Sequence, residues 1–65
     1  MLIVKFRDHS IQLDLERNSL PIFDVDHNNG MWDIIDWAGG EIIYNCPSEW
    51  SHYDAWELIK AIGEA

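Results

Sequence analysis

The chain alternates apolar and polar residues with the period of a strand over most of its first 45 positions. Between Phe23 and Tyr44, three apolar and acidic runs are separated by Asn29-Gly30 and by Ala38-Gly39-Gly40. Asn29-Gly30 is the strongest short hairpin signal, because a type I′ turn needs positive φ at both central residues. With that pair as the loop, Asn28 faces Met31, His27 faces Trp32, Asp26 faces Asp33, Val25 faces Ile34 and Asp24 faces Ile35. Cross-strand partners share a face. Phe23, Val25, Trp32 and Ile34 therefore form one face, and Asp24, Asp26, Asp33 and Ile35 the other. A second turn around Ala38-Gly39 sets Asp36 against Glu41, Ile35 against Ile42, Ile34 against Ile43 and Asp33 against Tyr44. The competing reading is a helix over residues 31–38, since Met31, Ile34, Ile35 and Ala38 follow helical spacing and Gly39 could cap it. The β-branched residues and the two glycine turns favour strands.

Upstream, Leu2, Val4 and Phe6 alternate with Ile3, Lys5 and Arg7, while Ile11, Leu13 and Leu15 alternate with Gln12, Asp14 and Glu16. A tight turn at His9-Ser10 pairs Val4 with Leu15, Phe6 with Leu13 and Arg7 with Gln12, and places a Lys5–Asp14 charge pair on the outer face. Arg17 to Pro21 reads as a connector, and Asn45 to Trp50 as a loop. Ser51 is a good N-cap with Asp54 at the capping-box position. Ala55, Leu58, Ile59 and Ile62 then form an apolar helical stripe that Gly63 ends, with Asp54 and Glu57 outward and Lys60 able to meet Glu64. The expected fold class is α+β: a small twisted antiparallel sheet of four or five strands whose inner face is covered by one C-terminal helix.

Sixty-five residues make a single domain, residues 1–65. A chain this short buries only about 60% of its unfolded surface, so its core is barely sufficient. Twelve acids against four bases give a formal charge of −8. That balance opposes direct binding to nucleic acid or to an anionic membrane, and favours a basic partner. Four Trp and an apolar content near one half point to a folded domain rather than an acidic tail. A lone Cys46 fits a reducing compartment. Lys5 and Arg7 interrupt the first apolar run too early for a secretion signal, and no run reaches membrane-spanning length. The expected location is the cytoplasm of a bacterial host, and the expected state a monomer.

Candidate chemistry is thin. His27, Cys46 and His52 lack the spacing of a zinc site. Asp24-Val25-Asp26-His27-Asn28 opens like a calcium loop, but Asn29 stands where that loop needs Gly and Ile35 where it needs Glu. A Cys46/His52 dyad would need an orienting third group and an oxyanion pocket. No metal, cofactor or catalytic residue is therefore expected, and the chain is read as a non-enzyme.

The acidic face is the most informative feature. Asp24 and Asp26 lie about 6.6 Å apart on one side of a strand, close to the separation of neighbouring phosphates. Asp26 directly opposite Asp33 costs stability unless a cation offsets it. Ile35, Ile42 and Tyr44 fall on the same face and give it an apolar centre, with Asp36 and Glu41 elsewhere on the surface and Trp37, Trp50 and Trp56 as further anchors unless they close the thin core. The bland alternative is a solvated acidic surface that keeps a small domain soluble. In length, charge and the acids Asp24, Asp26, Asp33, Asp36 and Glu41, the chain resembles the small inhibitors carried by phages and mobile elements, the anti-CRISPR and anti-restriction proteins that mimic DNA. The resemblance implies occlusion of a basic groove, on a CRISPR effector complex the surface that reads the PAM or grips DNA. Lys5, Arg7, Arg17 and Lys60 depart from the extreme mimics and make the field less uniform. An antitoxin-like or regulatory interaction module, bound through Trp and Tyr, is the rival.

Overall fold

A computed structural model describes all residues, Met1–Ala65. The chain runs β1 (Leu2–Phe6), β2 (His9–Leu13), a short 3₁₀ turn (Arg17–Ser19), β3 (Phe23–Asn28), β4 (Met31–Asp36), β5 (Ile42–Asn45) and α1 (His52–Glu64). The strands divide between two antiparallel sheets, β1-β2 and β3-β4-β5. This is a small α+β fold with five strands and one C-terminal helix. Residues 31–36 are a strand, and the helical reading of that segment is excluded.

The β3–β4 register follows from its turn. Asn29 and Gly30 both have positive φ, 53° and 77°, and the pairing runs Asn28–Met31, His27–Trp32, Asp26–Asp33, Val25–Ile34 and Asp24–Ile35. The β4–β5 pair begins as expected, with Ile35 opposite Ile42 and the Asp36 amide donating to the Glu41 carbonyl at 2.8 Å. A bulge between Ile34 and Ile35 then shifts the register by one residue, so Ile34 pairs with Tyr44 and Asp33 with Asn45. Tyr44 is thereby moved from the expected outer face to the inner one.

The N-terminal hairpin also differs from its expected register. Its turn is Arg7-Asp8, with Arg7 at φ 55°, and Val4 pairs with Ile11 and Lys5 with Ser10. The expected partners move by four residues. An even shift keeps the same side chains inward, so Leu2, Val4, Phe6, Ile11 and Leu13 are all buried. The Lys5–Asp14 pair does not form, and neither does Lys60–Glu64. In this register the Arg7 guanidinium reaches a partner 47 residues away in sequence, donating to the Asp54 carboxylate on α1.

Helix α1 starts at the capping box, where Ser51 and Asp54 bond reciprocally; the Ser51 amide donates to Asp54 Oδ2 at 2.8 Å. Ala55, Leu58 and Ile62 are buried, while Ile59 is half-buried. Gly63 stays inside the helix, which continues to Glu64. The helix packs on β1, β3 and β4.

No backbone hydrogen bond joins the two sheets. Side chains do it. Trp50, buried in the loop before the helix, lies 5.2 Å from the Phe6 ring and 6.2 Å from His9 on one sheet, and 6.3 Å from Tyr44 on the other. Arg7 covers the Phe6 ring at 4.8 Å.

Asp54 links this joint to pH. The hydrogen bond from Arg7, then that from the Ser51 backbone, hold its carboxyl below the usual aspartate range. A depressed native pKa contributes stability above the ordinary value, and that contribution is lost as pH falls through the native one. Arg7→Ala is therefore expected to lower the urea midpoint at neutral pH. The gap to the unsubstituted chain should close as pH drops below about 3.9, the ordinary aspartate value. A gap that persists at pH 2 would show that Arg7 acts by packing on Phe6 and Trp50.

Candidate functional site

The outer face of the three-stranded sheet carries the candidate site. The Trp37 amide donates to the Ile22 carbonyl at 2.8 Å, which adds one more pair to the β3–β4 ladder. Strand alternation then places Ile22, Trp37, Asp24, Ile35, Ile42, Asp26 and Asp33 on one side. Ile22 is 70% exposed, Trp37 64% and Ile42 51%, and together they make an apolar patch at one end of this face. Asp26 is exposed and Asp24 half-buried beside it. Ile22 follows the same alternation two positions before Asp24, a signal hidden by the adjacent Pro21.

Asp26 and Asp33 do face each other across the hairpin. No cation is needed to reconcile them. In a hairpin closed by two residues, Asn28–Met31 is a hydrogen-bonded pair, and so by alternation are Asp26–Asp33 and Asp24–Ile35. Such pairs are the wider ones, with Cα atoms about 5.5 Å apart. The two carboxylates also turn away from each other. Asp26 Oδ1 accepts from its own neighbour's amide, His27 N–H, at 3.0 Å, while Asp33 Oδ1 accepts from Asn45 Nδ2 at 2.8 Å. Asp33 is only 5% exposed, so it is a structural acid rather than part of the contact face.

The remaining predicted residues lie elsewhere. Tyr44 is half-buried against Trp50, and burial followed by the Cys46 thiol pushes its hydroxyl pKa up. Asp36 Oδ1 accepts from the Ala38 amide at 3.0 Å and so shapes the β4–β5 turn, where Gly40 supplies a φ of 68°. Asp36 and exposed Glu41 line a cavity of about 150 Å³ with Asp14, Leu15, Pro21 and Ile42. Of the eight expected contact residues, the fold brings together Asp24, Asp26, Ile35 and Trp37.

His27 stacks on Trp32 at 4.4 Å, and His52 lies 5.5 Å from the same indole. No group of three or more His, Cys, Asp or Glu side chains is placed to hold a metal ion. Cys46 is buried, and its thiol is pushed up to about 11, first by burial and then by the charges of Asp33 and Asp54. An activated nucleophile needs the opposite shift. No helix of the chain is long and apolar enough to cross a membrane. No family model matches the chain, and neither curated proteins nor solved structures give a match to it.

Proposed function

We propose that this chain is a non-catalytic, stoichiometric inhibitor that docks its outer sheet face on the nucleic-acid-binding surface of a basic protein. A CRISPR effector complex is the target its type implies, a restriction enzyme the alternative. The supporting observation is a single one: the exposed Ile22–Trp37–Ile42 patch runs directly into the Asp24 and Asp26 carboxylates, on a chain of net charge −8. An apolar centre with an acidic margin suits a partner whose Lys and Arg otherwise hold phosphates. The charge speeds encounter and makes it salt-sensitive, and the aromatic anchor slows release.

The decisive experiment is inhibition of DNA binding by purified CRISPR effector complexes and restriction enzymes, with the double variant Asp24→Asn, Asp26→Asn beside the unsubstituted chain. Asparagine keeps an acceptor oxygen in place and removes only charge. At least a tenfold loss of inhibition is expected, with a shallower dependence on salt. Inhibition that survives the double change intact would remove the acidic face from the mechanism. Trp37 at 64% exposure favours a second reading, an antitoxin-like or regulatory module held by apolar contacts. Under that reading Trp37→Ala abolishes binding while the asparagine pair leaves it unchanged.

A further inference from the structure

We propose that Asp24 and Asp26 also close the free edge of β3 against a second copy of this chain. Strand β3 stands at one edge of its sheet, paired only with β4. The hydrogen-bonded pairs toward β4 use the amides and carbonyls of Asp24, Asp26 and Asn28. The amides of Phe23, Val25 and His27 consequently point outward, where an incoming strand would find them. The last two are already occupied. Val25 N–H donates to Asp24 Oδ1 at 2.8 Å, and His27 N–H donates to Asp26 Oδ1 at 3.0 Å. Each aspartate folds back over the edge and covers the donor next to it.

Strand addition needs donors and acceptors in alternation along the edge. With two of its three outward donors covered, β3 keeps only the Phe23 amide at its start, too few donors for two such edges to build a ladder. Uncovered, the same edge is self-complementary, because an antiparallel two-fold pairing of β3 with its copy matches each outward amide to an outward carbonyl. The opposite edge needs no such device. Strand β5 is only four residues long and contains a bulge at Ile43, two features that blunt an edge by themselves. This role is independent of the proposed target, since it concerns backbone donors rather than net charge.

Analytical ultracentrifugation of three chains at about 0.1 mM tests it. The unsubstituted protein and the Asp24→Asn, Asp26→Asn pair are expected to sediment as monomers of 7.6 kDa, because the amide oxygen still accepts from the neighbouring N–H. The Asp24→Ala, Asp26→Ala pair, with both donors open, is expected to sediment at twice that mass. A monomeric, folded alanine pair overturns the proposal. So does an asparagine pair that dimerises as strongly as the alanine pair, which would assign the effect to charge repulsion. Should the alanine pair unfold, the single changes each open one donor and are read in the same way.

Discussion

Replacing Trp50 with alanine is expected to abolish the cooperative unfolding transition near 37 °C. The indole is the one side chain that contacts Phe6 and His9 on one sheet and Tyr44 on the other. Truncating a buried Trp to Ala costs about 3–5 kcal/mol, from lost burial and the cavity left behind. In a chain this short a single hydrophobic core rarely supplies more than about 3–5 kcal/mol. The subtraction leaves little or nothing. Trp50→Phe keeps most of the ring and is expected to retain a sharp transition at a lower urea midpoint. Near-ultraviolet circular dichroism and a urea titration read both variants. An alanine variant whose midpoint stays close to that of the unsubstituted chain would mean that α1 alone holds the sheets together.

The second large effect concerns Cys46. Because its thiol is buried and pushed up to about 11, the folded chain holds about 100-fold less thiolate at pH 8 than a thiol of ordinary value 9.0 would. Reaction with an aromatic disulfide reagent at that pH is expected to be at least 100-fold slower in the folded chain than in urea. The same shift makes the fold sensitive to alkali. Between about pH 9 and 11 the native thiol keeps a proton that the unfolded chain releases, so stability falls as pH rises. Tyr44, raised by burial and by Cys46, acts in the same direction. Cys46→Ala is expected to start from a lower stability and to lose less of it on going to pH 11, keeping only the part due to Tyr44. Equal alkaline losses in both chains would place the sensitivity outside this thiol.

The parts of the fold that could be read from sequence are those governed by local chemistry. The Asn29-Gly30 turn sets an entire hairpin register, and Ser51 with Asp54 sets the helix start. Period-two alternation identifies which faces of β1 and β2 are buried, but it is blind to an even shift of partners, and the Arg7-Asp8 turn carries no glycine to announce it. The bulge was invisible for a related reason. Ile42, Ile43 and Tyr44 are all apolar or aromatic, so nothing in the pattern marks which residue is extra. At the site, Asp24, Asp26 and Ile35 were legible from the hairpin alone, whereas the Ile22–Trp37 pair that sets Trp37 on the same face was not. The burial of Asp33 was not, because it depends on Asn45, which only the shifted register brings opposite.

The absence of backbone bonding between the sheets has a bearing on how the molecule fluctuates. Separating the N-terminal hairpin from the rest exposes apolar side chains but strands no amide or carbonyl, and each sheet keeps its own ladder throughout. The opening breaks one side-chain bond, Arg7 to Asp54, and no backbone bond, so its frequency is governed by that contact and by the apolar packing around Trp50. The chain is in that sense two cassettes sharing one seam, and partial opening along that seam would precede loss of either ladder.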